Sequence, residues 1–115
     1  MINKEKKPNI IIIFADDLGY GDLGCYGSKI NETPTLDRMA DEGKKFSNFY
    51  VSSPVCSPSR ASLLTGCYPQ RISFGTFDGL RVLFPGQGIG LSTEEKTIAK
   101  TLKESGYSTK IIGKW

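Results

Sequence analysis

Asn9–Ala15 reads NIIIIFA and runs directly into Asp16-Asp17. Four consecutive β-branched isoleucines suit a pleated backbone and leave neither face polar. That is the pattern of a strand buried on both sides, typical of a parallel sheet covered by helices. The apolar run is far too short to span a membrane, and two carboxylates end it. The residues that follow, Leu18-Gly19-Tyr20-Gly21-Asp22, read as a glycine-rich loop.

Outward from this strand the punctuation is helical. Thr33-Pro34 predicts a helix start, with threonine at the cap and proline at the first helical position. Leu36, Met39 and Ala40 follow at helical spacing, and Gly43 is the stop. Lys45–Val51 is a second, weaker strand candidate. Ser57-Pro58 predicts another helix, with Cys56 just outside it and Gly66 closing it. Arg71–Gly90 lacks periodicity and reads as a long loop. Ser92-Thr93-Glu94-Glu95 has capping-box spacing ahead of a third helix through Ile98, Ala99 and Leu102. Ser108–Ile112 then predicts a third strand. This order implies an α/β layered fold with a largely parallel sheet, incomplete in this chain because no covering helix follows the last strand.

At 115 residues the chain is one domain at most, or part of one. An apolar fraction of 38% and a charged fraction of 23% place it among soluble globular sequences. The net charge of +3 includes no basic stripe with interleaved aromatics, so neither nucleic acid nor membrane is expected as a partner. Residues 1–8 read as a flexible, solvated N-terminal tail without a signal peptide. As written the chain is cytoplasmic; a different start would make it periplasmic or secreted. Three cysteines and no histidine exclude a disulfide scaffold, a mixed zinc site and a Cys–His nucleophile pair.

Three groups remain that could carry chemistry. Asp16 and Asp17 sit at the carboxyl end of a buried strand, where open α/β sheets place ligands. Their paired charge and hard oxygens suit Ca²⁺, or less well Mg²⁺; the alternative is one turn cap and one solvated carboxylate. Gly19–Gly24 spells G-x-G-x-x-G, but poor helix formers follow it and three aspartates would repel a pyrophosphate, so it does not read as a dinucleotide loop. Cys56 precedes a helix N-terminus, which favours anions, and Arg60 lies one turn in. The alternative is that Cys56 is a small packing residue. Lys114 follows the third strand, at the same sheet edge as the aspartates, where it is either a solvated cation or a holder of a charged substrate group.

C-S-P-S-R-A-S-L-L-T-G, Cys56 to Gly66, resembles the sulfatase signature C-x-P-S-R-x-x-x-L-x-G. Asp16–Gly27, Thr33–Gly43 and Gly106–Trp115 are also similar to segments of that family, in order and spacing. The resemblance implies an alkaline-phosphatase-like fold, with residues 1–115 as the N-terminal part of a single sulfatase catalytic domain. It implies oxidation of Cys56 to Cα-formylglycine by a formylglycine-generating or radical sulfatase-maturing enzyme. One oxygen of the hydrated aldehyde would attack the sulfur of a carbohydrate or aryl sulfate ester; the second hydroxyl would then expel sulfate.

By position, the resemblance makes Asp16, Asp17 and the modified Cys56 ligands of Ca²⁺. Arg60 would hold the gem-diol and Lys114 would contact both diol and sulfate. The family's later Asp-Asn metal pair and its histidines have no counterpart in these residues, so the chain alone is expected to have little or no activity. Rival expectations are a formylglycine-dependent phosphonate or phosphodiester hydrolase, a non-catalytic remnant and, last, a thiol protein.

Overall fold

The structure, a computed structural model, describes residues 7–74 and 82–114. Most of the predicted tail, the middle of the 71–90 loop and Trp115 lie outside those residues. The chain divides into two compact units, Met1–Ser47 and Asn48–Trp115.

The first unit holds one α-helix, α1, at Pro34–Glu42. Pro34 opens it, where a missing amide costs no helical hydrogen bond. Leu36 and Met39 share its apolar face, as predicted, and remain 40% and 56% exposed. Ahead of it lie two short 3-10 turns, Tyr20–Asp22 and Gly24–Tyr26. Gly27 ends the second in the left-handed region at φ 99°, a conformation glycine adopts without a Cβ clash.

The second unit is built on α2, Cys56–Thr65. Val55, in extended conformation, is its cap, and Gly66 ends it with φ 70° and an amide donated to the Ser62 carbonyl. The chain then turns through the 3-10 segment Pro69–Ile72, which folds back on the helix. Ala61, Ile72 and Phe74 form the buried cluster, with Cys67, Leu83 and Leu91 packed against it. Its last helix, α3, covers Ile98–Glu104. Its cap is Thr97, whose hydroxyl accepts the Lys100 amide at 3.2 Å. The predicted capping box five residues earlier makes a turn instead: Ser92 accepts the Glu94 amide on its hydroxyl and the Glu95 amide on its carbonyl.

No strand is present among the described residues, which corrects the three predicted at Asn9–Ala15, Lys45–Val51 and Ser108–Ile112. A strand satisfies its backbone only through a neighbour, unlike a helix, which is closed within itself. The isoleucines at 11 and 13 are 83% and 80% exposed and those at 10 and 12 are 50% exposed. The period of two survives, but no partner strand covers either face. The layered sheet therefore has no element of its own here. Among the described residues, no helix is long and apolar enough to cross a membrane.

Candidate active site

The signature stretch becomes the first turn of α2, with Cys56 as the first helical residue rather than the one outside it. The first helical bond runs from the Ser59 amide to the Val55 carbonyl at 3.3 Å. The amides before it, at Cys56 and Ser57, belong to the set that no helix can use internally, and Pro58 has none to offer. Cys56 thus stands at the positive end of the helix. Pro58 and Ser59 are buried, so the middle of the signature also seats the helix on the cluster at Ala61.

Arg60 lies four residues on, on the same helix face as Cys56. Its Nη1 donates to the Lys114 carbonyl oxygen at 2.9 Å, which binds the end of the chain to this turn across 54 residues. Cys56 is half-buried and forms no disulfide. Its Sγ lies 4.0 Å from Ser57 Oγ, and that hydroxyl accepts the Leu83 amide at 3.0 Å. Cys56, Arg60 and the Lys114 backbone are thus gathered in the second unit.

Asp16 and Asp17 belong to the first unit, and both are exposed. Asp17 has φ 57°, in the left-handed region that aspartate tolerates better than most residues. Two adjacent carboxylates give hard oxygens of the kind Ca²⁺ takes, and in this respect the pair suits the ion. No group of three or more histidine, cysteine, aspartate or glutamate side chains among the described residues is placed to hold a metal, so these two cover only part of a Ca²⁺ shell of six to eight oxygens.

In the glycine-rich loop after them, three amides are taken by the protein's own side chains. The Gly19 amide donates to Asp22 Oδ2 at 2.7 Å, the Gly24 amide to Thr33 Oγ1 at 2.8 Å, and the Cys25 amide to Asp37 Oδ1 at 2.6 Å. Thr33 Oγ1 in turn donates to Asp37 Oδ1 at 2.9 Å. The roles of Asp37 and Ser57 went unforeseen in the sequence. Thr33 was readable as a cap, but its hydroxyl serves the loop and makes no cap bond to α1.

Among solved structures, the crystal structure of Ps i-CgsB superposes with a TM-score of 0.78 at 47% identity, over 89% of this chain and 22% of that one. A second, from work on glycosaminoglycan metabolism by Bacteroides thetaiotaomicron, has a TM-score of 0.76 at 45% identity, over 95% of this chain and 22% of that one. Residues 8–115 match the sulfatase family. Human arylsulfatase A is 52% identical over 110 residues, covering 96% of this chain and 21% of that protein. Human steryl-sulfatase is 50% identical over 110 residues, covering 95% of this chain and 19% of that protein. The chain belongs to the sulfatase family, and it spans about a fifth of the length of the curated relatives it matches.

Proposed function

We propose that this chain is the nucleophile-bearing part of a sulfuric ester hydrolase, with Cys56 as the precursor of a formylglycine nucleophile. The observation that best supports this is Cys56 at the first position of α2 with Arg60 one turn behind it, tied to the backbone of Lys114. A helix N-terminus and a forked cation favour the oxyanion that a hydrated aldehyde must become. One diol oxygen attacks sulfur and the alcohol leaves with a proton. The second hydroxyl then loses its proton, expels sulfate and restores the aldehyde. Arg60 holds the diol, and the Lys114 ammonium holds the sulfate.

Asp16 and Asp17 are the carboxylates that would hold Ca²⁺. When bound, the ion would supply charge to polarise the sulfate oxygens. Mg²⁺ suits this reading less well, because it demands near-ideal octahedral geometry. The relatives' names include a steryl, an aryl and an N-acetylgalactosamine 6-sulfatase, so the shared substrate class is the sulfate ester. Because these residues offer only part of a metal shell, the 115-residue chain alone is expected to turn over no substrate.

Two measurements test this reading. The first is an assay of a full-length protein carrying this segment on matched aryl sulfate and aryl phosphate esters. Preference for the sulfate is expected; preference for the phosphorus ester overturns the substrate class. The second is mass spectrometry of the tryptic peptide Phe46–Arg60 after co-expression with a maturing enzyme. The aldehyde is expected at Cys56, and a persistent thiol would leave a non-catalytic remnant as the better reading.

A further inference from the structure

We infer that Asp37, acting with Thr33, is a positioning residue for the Asp16-Asp17 carboxylates; this rests on the metal reading above. Asp17 holds φ 57°, a conformation that costs a non-glycine residue on the order of 1 kcal/mol and persists where the surroundings over-determine it. The loop that follows it is itself fastened at several points. Two residues on, the Gly19 amide is bonded to Asp22 Oδ2 and the Asp22 amide returns to the Gly19 carbonyl at 3.2 Å. The next turn is fixed from outside the loop: Gly24 by the Thr33 hydroxyl, Cys25 by the Asp37 carboxylate, and Thr33 to Asp37.

The fit is close enough that only glycine is accommodated at position 24. A Cβ there would lie 2.5 Å from Asp37 Oδ2, an atom whose carboxylate is already pinned by two donors. Asp37 is carried on the first turn of α1. A rigid helix therefore holds the loop through one carboxylate, and the loop starts at the candidate metal ligands. Groups that hydrogen-bond metal ligands directly typically change affinity by about 10- to 100-fold when removed, and Asp37, which acts through the loop, is expected at the low end of that range.

The test is calorimetric titration of Ca²⁺ into the metal-free, full-length sulfatase carrying this segment, with no assay of turnover. Asp37→Asn and Thr33→Val are expected to weaken Ca²⁺ about 10-fold or more, while Thr33→Ser, which keeps the hydroxyl, retains it. Tyr26→Phe is the control for general loosening. It removes the hydrogen bond from the Tyr26 hydroxyl to the Phe46 carbonyl in the same unit and is expected to leave Ca²⁺ affinity unchanged. Asp37→Asn that binds Ca²⁺ like the parent, or Tyr26→Phe that weakens it equally, overturns the positioning role. Asp16→Asn that leaves affinity unchanged overturns the metal reading itself, which separates the two failures.

Discussion

The two units are held by different physics. Among the described residues of the first, none is buried; its loop is ordered by carboxylate and hydroxyl groups bonded to backbone amides. The second rests on a small apolar cluster, Ala61, Ile72 and Phe74, beneath the helix that starts at Cys56. The difference matters because apolar burial is tolerant of direction, whereas a hydrogen bond fixes position within tenths of an ångström. The unit that would present metal ligands is fastened by directional bonds. The unit that would present the nucleophile has its helix seated by burial and its first turn trimmed by one bond that Arg60 donates and one that Ser57 accepts.

The largest expected effect falls on chemistry in the second unit. In a full-length protein carrying this segment, Cys56→Ala is expected to lower turnover of an aryl sulfate by roughly 10⁴-fold or more, as loss of a covalent nucleophile does. Steady-state rates at saturating substrate measure it, and retained turnover would remove Cys56 from the mechanism. Phe74→Ala comes next. Phe74 is 2% exposed, and emptying its place in the cluster costs about 3–5 kcal/mol. Urea unfolding followed by circular dichroism gives the value. A cost below about 1 kcal/mol would mean that the cluster does not hold this unit together.

Smaller effects probe the polar unit. Thr33→Val deletes the acceptor for the Gly24 amide and a donor to Asp37, an expected loss of about 1–2 kcal/mol. Amide hydrogen exchange should speed up at Gly24 and Cys25 and stay unchanged at Gly66, in the other unit. Equal acceleration at all three would show that the two units do not respond separately. Gly66→Ala, at φ 70°, is expected to cost about 1 kcal/mol in the second unit, read by the same unfolding measurement.

How much of this was legible in the sequence followed from how local each signal is. Pro34 and Gly66 marked helix ends because caps depend on one or two residues of backbone geometry. The signature marked Cys56 and Arg60 for the same reason, since both lie within one helical turn. The isoleucine run has the composition of a buried strand, but burial needs partners that no local pattern supplies. The third helix starts later than the Ser92 capping pattern implies because Ser92 offers a turn as readily as a cap, and the hydroxyl of Thr97 caps instead. Asp37 could not be found at all. Its partner Cys25 lies 12 residues away, and nothing about an aspartate in a first helical turn says which amide it will reach.

The smallest effect sharpens the same contrast from the surface. Lys96 and Glu104 form an ion pair at 3.2 Å across the ends of α3, with both side chains about two-thirds exposed. Water and salt screen such a pair, and ordering two long side chains offsets most of the attraction, so Lys96→Gln is expected to change stability by less than about 0.5 kcal/mol. Lys100 differs: its ammonium donates to the carbonyls of Thr93 and Glu95 and so ties α3 to the turn that precedes it. Lys100→Gln should therefore cost more than Lys96→Gln, about 1 kcal/mol, because hydrogen bonds from a charged donor to fixed carbonyls are lost. Urea midpoints of the two variants at low and high salt decide it. A larger loss for Lys96→Gln, vanishing in salt, would show that charge pairing rather than capture of backbone carbonyls holds α3 in place.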